Sequence, residues 1–226
     1  MSEDSQQQEL VYNSNCNIKS KLRNALDEVV SFSGVPQYFA VGFIDIVNST
    51  NITANLSLKK ASLYYSTFLN SMSIIVKASD GIVMKNIGDS LMFYFHGNKN
   101  YTNNQSFANI VECGMNMINV RDVINERLFY FDLPELNYRI SADYGCVLVA
   151  DSKTTFDKDL FGSPVNTCAR INHLAFPNTM VIGQNLYQQL KFNKLYDFEK
   201  INTCILLAKK RYDVYEVKKI KSKIDT

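Results

Sequence analysis

The pattern of apolar and polar positions in the first half of the chain predicts a helix, a buried strand and a second, longer helix. Apolar residues recur at three- and four-residue steps across residues 18–32, as on one face of an amphipathic helix. Residues 38–47 form an almost continuous apolar run, which is typical of a buried strand. Residues 48–50 predict a turn, and the apolar spacing across about 56–76 predicts the longer helix.

The middle of the chain predicts a β-hairpin, then a helix and a strand. Apolar runs at 81–85 and 91–95 flank a Gly-Asp turn, which indicates two strands joined by a tight connection. The polar stretch at 97–105 predicts a loop. Helical spacing then continues across about 106–127, and residues 138–149 have the apolar content of another strand.

A charged loop is predicted at 151–158, and a third helix is predicted to begin soon after it. Ser163 is favoured as the N-cap of that helix, and Pro164 is tolerated at the first helical position because the amide it lacks has no partner there. The remaining predicted elements are a strand at 180–182, a helix at 186–190, and closing strands at 196–200 and 212–217.

In this order the elements predict an α+β fold, with helices packed on one face of a mainly antiparallel sheet. The elements from the strand at 38–47 to the strand at 138–149 form a ferredoxin-like βαββαβ core. Three segments are expected: a polar tail with the amphipathic helix at 1–36, one folded domain at 37–218, and a basic tail at 219–226.

Composition narrows the classes of function. The 226 residues are 46% hydrophobic, enough for a sizeable core, and a net charge of +2 argues against a nucleic-acid-binding surface. We find no signal peptide and no apolar run of the ~20 residues that a membrane helix needs, so we expect a cytoplasmic protein without a membrane partner. The five cysteines contain no CxxC pair, which predicts free thiols: Cys16, Cys113, Cys146, Cys168 and Cys204.

Two aspartates suggest a metal site. Asp45 lies near the carboxyl end of an apolar strand, and Asp89 lies at the tip of the hairpin. If the hairpin is beside that strand, both carboxylates meet at one sheet edge and suit hard divalent cations. The turn at 46–50 adds backbone amides just before a helix, which favours a phosphate, and this combination suits in-line displacement at phosphorus. The alternative is that each aspartate only serves its own turn.

A third cluster lies on the helix that follows Pro164. Asn166 and Arg170 are four residues apart, so they share one helix face. An isolated pair of this kind is more often a solvated polar face. An arginine near a phosphate would instead stabilise developing negative charge.

Three sequence blocks contain these residues. They are Phe-Ile-Asp-Ile-Val-Asn-Ser-Thr at 43–50, Lys-Asn-Ile-Gly-Asp-Ser-Leu-Met at 85–92 and Asp-Leu-Phe-Gly-Ser-Pro-Val-Asn-Thr-Cys-Ala-Arg at 159–170. Together they resemble the three signature blocks of class III nucleotidyl cyclases, in the family's order and at family-like spacing. The resemblance covers about 38–217 and implies that 37–218 is a cyclase catalytic domain.

The resemblance implies a two-metal reaction. Asp45 and Asp89 would bind two Mg²⁺ or Mn²⁺ ions per site, with the carbonyl of Ile46 as a further ligand. The ribose 3′-hydroxyl would attack the α-phosphorus of a nucleoside triphosphate, and pyrophosphate would leave. Asn166 would orient the ribose, and Arg170 would stabilise the transition state.

The resemblance also implies a substrate and a partner. Lys85 and Asp159 match the pair that recognises adenine, whereas guanylyl cyclases of the family typically carry Glu and Cys there, so ATP is favoured. The metal aspartates of one subunit would face Lys85, Asp159, Asn166 and Arg170 of another. A homodimer with sites at the subunit interface is therefore expected.

The triphosphate contacts depart from the family pattern. The candidates in the turn are Val47, Asn48, Ser49 and Thr50, at a place where the family often has a glycine. The family's triphosphate lysine lies in a glycine-rich turn before the last strand. Here residues 205–211 contain no glycine and Leu207 falls near the expected position, so Lys209 is the candidate and Lys210 the alternative.

Two alternatives to an adenylyl cyclase stay open. One is a cyclase that acts on a nucleotide with another base, either a pyrimidine nucleotide or GTP. The presence of Lys85 and Asp159 argues against this alternative. The other is a degenerate cyclase domain that binds nucleotide and partners without turnover, which the missing lysine favours and the six matching positions oppose. A regulatory partner, unidentified from the sequence, is compatible with either.

Overall fold

The structure is a computed structural model that describes residues 18, 20–22, 30–97, 105–152, 158–205 and 211–220. The strands are β1 Val30–Phe32, β2 Gln37–Ile46, β3 Ile82–Ile87, β4 Ser90–His96, β5 Tyr138–Ser152, β6 Lys158–Phe161, β7 Met180–Gly183, β8 Tyr196–Ile205 and β9 Arg211–Lys219. The helices are α1 Ser49–Ala54, α2 Leu58–Ala78, α3 Gln105–Asn119, α4 Arg121–Tyr130, α5 Ser163–Ile171 and α6 Gln184–Leu190, and a 3₁₀ turn at Asn172–Leu174 follows α5.

The predicted α+β fold is confirmed. Strands β3, β4, β2 and β5 lie side by side in that order, all antiparallel, and helices connect β2 to β3 and β4 to β5. This is the ferredoxin-like βαββαβ arrangement. β7 extends the sheet in parallel with β5, and β9 and β8 complete it. The far end of β5 pairs with β1 and β6 instead, so it forms a small arm.

The two faces of the sheet carry different cores because side chains alternate along a strand. On β2, Ala40 and Ile44 belong to the large core under α2, α3, α4 and α6, whereas Phe39, Val41 and Phe43 belong to a smaller cluster on the other face. α5 covers that second face: Cys168 is buried in the smaller cluster, and its Sγ lies 3.1 Å from the carbonyl oxygen of Val41. The prediction that the helices share one face is therefore wrong for α5.

Several predicted boundaries also move. The helix predicted at 18–32 ends too late, because Val30–Phe32 is a strand that pairs with the end of β5. Likewise, the loop predicted at 151–158 is narrower, since β5 continues to Ser152 and β6 begins at Lys158. Both errors have one cause: strand pairing between distant segments leaves no periodic signal within a short stretch.

The helices are more segmented than predicted. A short helix, α1, precedes α2, and Ser57 caps α2 by accepting a hydrogen bond from the amide of Lys60 at 3.3 Å. The helix predicted at 106–127 is two helices that break at Val120. The N-cap of α5 is Gly162 and not Ser163. Only glycine fits at this position, because a Cβ at residue 162 would lie 2.6 Å from the carbonyl oxygen of Cys146. In the described ranges no helix is long and apolar enough to cross a membrane.

Candidate active site

The two aspartates singled out in the sequence lie together at one edge of the sheet. Asp45 is the second-to-last residue of β2 and is directly paired with Ser90, the first residue of β4. Asp89 precedes Ser90 in the tight β3–β4 turn, where Gly88 has a φ of +62° that suits glycine. The register of the hairpin against β2 therefore brings the two carboxylates together.

Each carboxylate is held by a serine from another element. The hydroxyl of Ser90 donates to Asp45 Oδ1 at 2.5 Å, and the hydroxyl of Ser49, at the start of α1, donates to Asp89 Oδ2. We predicted Ser49 as a phosphate contact; in the structure its hydroxyl is committed to Asp89. Neither serine–aspartate contact was predicted, because each joins segments about forty residues apart.

The electrostatics of this edge favour a bound cation. Burial is the largest cause of the raised pKa of Asp45. The neighbouring charge of Asp89 raises this pKa further, whereas the Ser90 hydrogen bond and the charge of Arg139 lower it. In the described parts of the chain no group of three or more His, Cys, Asp or Glu side chains could hold a metal. The oxygen ligands that this edge offers to a hard cation are the carboxylates of Asp45 and Asp89 and the backbone carbonyl of Ile46, the residue after Asp45.

Arg139 is a site residue that the sequence reasoning missed. It lies on β5 directly opposite Asp45 of β2 in the strand register. The residue is half-buried, and its Nε is buried without a hydrogen-bond partner among the described residues, which is unusual for a guanidinium. One signal was available in the sequence: Arg139 is the sole cation in the run 138–149.

The turn after β2 offers fewer amides than predicted. The amide of Val47 donates to the carbonyl of Asn137 at 2.8 Å, so it is not available to a phosphate. Asn48 adopts the left-handed conformation, with a φ of 60°, and is the N-cap of α1. Thr50 is exposed in the first turn of α1, whose leading amides lack acceptors within the helix. Lys209 and Lys210 lie outside the described residues.

Lys85 and Asp159, predicted to act together, are in direct contact. Lys85 Nζ lies 2.5 Å from Asp159 Oδ2, and the two side chains are 36% and 37% exposed. The other carboxylate oxygen, Oδ1, accepts the backbone amide of Leu160 at 2.8 Å. Lys85 and Asp159 are 74 positions apart in the sequence. Two features of the sheet bring them together: an irregularity in the pairing of β3 with β4 just before Lys85, and the pairing of β6 with the end of β5.

Asn166 and Arg170 lie on the exposed side of α5. Both side chains are exposed, whereas Thr167, Cys168 and Ile171 on the other side of the helix are buried. The prediction that Asn166 and Arg170 share a face is confirmed. Because both side chains lie on the exposed face of α5, they are available to a second molecule.

The chain belongs to the family of adenylate and guanylate cyclase catalytic domains. The family model for the adenylate and guanylate cyclase catalytic domain matches residues 36–219. A cytidylate cyclase of Staphylococcus aureus is 26% identical over 175 residues, which cover 73% of this chain and 40% of that protein. The chain therefore spans well under half the length of this relative.

Solved structures share the fold. The adenylyl cyclase CyaB of P. aeruginosa superposes with a TM-score of 0.74 at 19% identity, covering 85% of this chain and 98% of that one. The guanylate cyclase domain of RhGC from Catenaria anguillulae, in complex with GTP, gives a TM-score of 0.70 at 18% identity, covering 83% and 100%. At these identities the likeness is one of fold.

Proposed function

We propose that this cyclase domain converts ATP to 3′,5′-cyclic AMP and pyrophosphate, by attack of the ribose 3′-hydroxyl on the α-phosphorus. The observation that carries the proposal is the pair of carboxylates, Asp45 and Asp89, which lie together at one sheet edge with Arg139 directly opposite Asp45. Two acids beside one cationic side chain match the needs of a metal-bound triphosphate.

Asp45, Asp89 and the carbonyl of Ile46 would hold two Mg²⁺ or Mn²⁺ ions. When bound, such ions lower the pKa of the attacking hydroxyl and neutralise the charge of the triphosphate. Ser49 and Ser90 would orient the two carboxylates by donating hydrogen bonds to Asp89 Oδ2 and Asp45 Oδ1. Arg139, directly opposite Asp45 in the strand register, would add positive charge near the triphosphate.

Two copies of the chain would complete each site. The exposure of Asn166 and Arg170 on α5 supports this arrangement, since side chains that orient ribose and stabilise transition-state charge must face a substrate. In the dimer, Asn166 would hydrogen-bond the ribose, and Arg170 would neutralise charge that develops on the α-phosphate. Lys85 and Asp159 would hold the base from the same subunit as Asn166 and Arg170. Lys209 remains the candidate for the distal phosphates.

A second candidate substrate is CTP. Its support is the similarity to a relative named as a cytidylate cyclase. The pair Lys85 and Asp159, which we took above to oppose a pyrimidine, does not discriminate here, because cytosine also has an amino group beside an unprotonated ring nitrogen. Lys85 and Asp159 could therefore pair with adenine or with cytosine.

The test is turnover of each of the four common triphosphates with Mn²⁺ by the purified chain. We expect a cyclic nucleotide and an equal amount of pyrophosphate from ATP, loss of both on chelation of the metal, and none from the Asp45→Asn variant. If cyclic CMP is the main product, CTP replaces ATP as the proposed substrate. Nucleotide binding without any product would instead support a degenerate domain and overturn the proposal.

A further inference from the structure

Buried hydrogen bonds hold the end of α5 against β5. Ser141 on β5 is fully buried, and Asn172, the C-cap residue of α5, is 6% exposed. The Ser141 hydroxyl donates to the carbonyl oxygen of Cys168 at 2.9 Å. The same carbonyl accepts the backbone amide of Asn172. The last turn of the helix is therefore bonded both within itself and to the sheet.

The side chain of Asn172 completes this network. Its Nδ2 donates to the hydroxyl oxygen of Ser141 at 3.2 Å and to the carbonyl oxygen of Arg139 at 3.3 Å. A side-chain amide nitrogen carries two protons, so both are used. The Ser141 hydroxyl gives its own proton to Cys168, which leaves its oxygen free to accept from Asn172. Ser141 and Asn172 are called the clamp below.

The clamp holds the chain on both sides of Arg170. Cys168 and Asn172 are four positions apart, so they lie on the same side of the helix, which is the buried side. Arg170 lies between them in the sequence and on the exposed side. The direction in which its side chain leaves the helix therefore depends on how the last turn of α5 is seated on β5.

The clamp consists of hydrogen bonds, whereas the neighbouring contacts under α5 are apolar. Those contacts come from a cluster that includes Phe39, Val41 and Cys168. Apolar contacts depend little on direction, so they hold a helix on a sheet without fixing its rotation strictly. Hydrogen bonds depend on direction, and a buried network whose donors are all paired makes the arrangement rigid. The clamp thus adds orientation to an attachment that the apolar cluster already provides.

We propose that Ser141 and Asn172 are positioning residues for Arg170. By fixing the rotation of the last turn of α5, they aim its guanidinium at the α-phosphate in the site shared with a second copy of the chain. The inference rests on the proposed function, because it requires Arg170 to act on the substrate. A misplacement of about 1 Å in a group that acts on the reacting atoms can cost about 10²-fold in rate.

Single variants test the effect on turnover with Mn²⁺. Asn172→Ala should lower kcat by roughly 10²-fold, and the smaller change Ser141→Ala by roughly tenfold, with KM changed much less. Asn125→Ala is the matched control, because its amide also joins a helix to backbone, through the carbonyl and the amide of Leu136 at 3.2 and 2.7 Å. Its kcat should stay unchanged. Unchanged kcat in the clamp variants that fold, or an equal loss in the control, would overturn the proposal.

Mixed dimers show which half of the site the clamp serves. Asn172 also bonds the carbonyl of Arg139, which is directly opposite Asp45, so a role in the metal half is the competing assignment. Mixing Asn172→Ala with Asp45→Asn gives one site with an intact clamp and both carboxylates, so about a quarter of wild-type activity should return. Mixing Asn172→Ala with Arg170→Ala should return none. Return with Arg170→Ala and not with Asp45→Asn would overturn the proposal.

Hydrogen exchange tests the clamp without turnover. In Asn172→Ala the backbone amides in the last turn of α5 should exchange at least about tenfold faster, whereas Asn125→Ala should affect α4 instead. Unchanged exchange in α5 would overturn the clamp, whatever happens to kcat. Faster exchange without any cyclic nucleotide from the wild-type chain would overturn the cyclase proposal, and the role of the clamp for Arg170 with it. Wild-type turnover with fully active clamp variants would overturn the clamp alone.

Discussion

Asp45 and Asp89 lie side by side with the same charge, whereas Lys85 and Asp159 neutralise each other across β3 and β6. Each carboxylate of the first pair accepts a hydrogen bond from a serine hydroxyl, and the two like charges are unfavourable side by side without added positive charge. The two charges of the second pair neutralise each other, and the side chains are 36% and 37% exposed. We therefore propose that the first pair binds cations and that the second pair offers its hydrogen-bonding groups to a ligand.

The difference predicts where substitutions are tolerated. If Asp45 and Asp89 bind cations as proposed, removal of either charge should abolish that function. An ion pair in partial contact with water contributes little to stability, so changes there should alter substrate choice more than folding. The following predictions test that contrast, from the largest effect on activity to the smallest.

Asp45→Asn and Asp89→Asn should each reduce kcat by at least about 10³-fold, because each removes charge from the metal site. Circular dichroism should show an unchanged fold, since the amide keeps the shape and still accepts the serine hydrogen bond. Asp132→Asn, at an exposed aspartate paired with Lys60, is the matched control and should retain activity. Wild-type activity in either site variant would refute the metal role.

Mixing two inactive variants should restore activity if the sites are shared between subunits. Asp45→Asn lacks a metal ligand, and Arg170→Ala lacks the exposed arginine, so a mixed dimer keeps one intact site. With equal amounts and free exchange, about a quarter of wild-type activity should return. The measurement is turnover after incubation of the mixture. Demonstrated subunit exchange with no return of activity would show that each chain uses only its own residues.

Removing the serine hydroxyls tests whether the carboxylates need to be held. Ser49→Ala and Ser90→Ala should each raise the Mn²⁺ concentration for half-maximal activity by about tenfold, because hydrogen-bonded partners orient metal ligands. Ser66→Ala on the exposed side of α2 is the control and should leave metal titration unchanged. An unchanged metal requirement in both site variants would mean that the carboxylates are oriented by the backbone alone.

Asp143 offers a carboxylate whose partners are all protein groups. It is 1% exposed on the α5 side of β5, next to the Cys168 thiol, and it accepts the Tyr212 hydroxyl at 2.7 Å and the Leu186 amide at 3.2 Å. Burial raises the pKa of Asp143 to about 6 despite these bonds. The folded state therefore binds this proton more tightly than the unfolded chain does.

Asp143 contributes most to the free energy of unfolding below pH 4, where its carboxyl is protonated. This contribution is lost as the pH rises to about 6. The loss amounts to up to about 3 kcal/mol. In Asp143→Asn this dependence disappears, so the stability of the variant relative to wild type should rise between pH 4 and 6, as measured by urea unfolding. Asp132→Asn should show no such rise, because its carboxyl is exposed. A relative stability that is flat with pH would contradict the buried charge.

Much of the site could be predicted from sequence because its members occur in short blocks. Asp45, Asp89, Lys85 and Asp159 each lie at or near a turn or strand end whose local pattern is readable, and resemblance to the family supplied their pairing. Arg139 and the serine contacts could not be predicted in this way. They depend on which strands are neighbours and on their register, and register is a property of two distant segments together.

By itself the sequence determined the order of the four strands and the connecting helical segments of the ferredoxin-like core, since periodicity and turn residues are local properties. The tertiary structure alone decided that α5 covers the opposite face of the sheet, that β1 and β6 pair with the end of β5, and that the amide of Val47 is already used. It also decided that two aspartates 44 positions apart share one edge. Each of these outcomes depends on packing between segments that no local pattern contains.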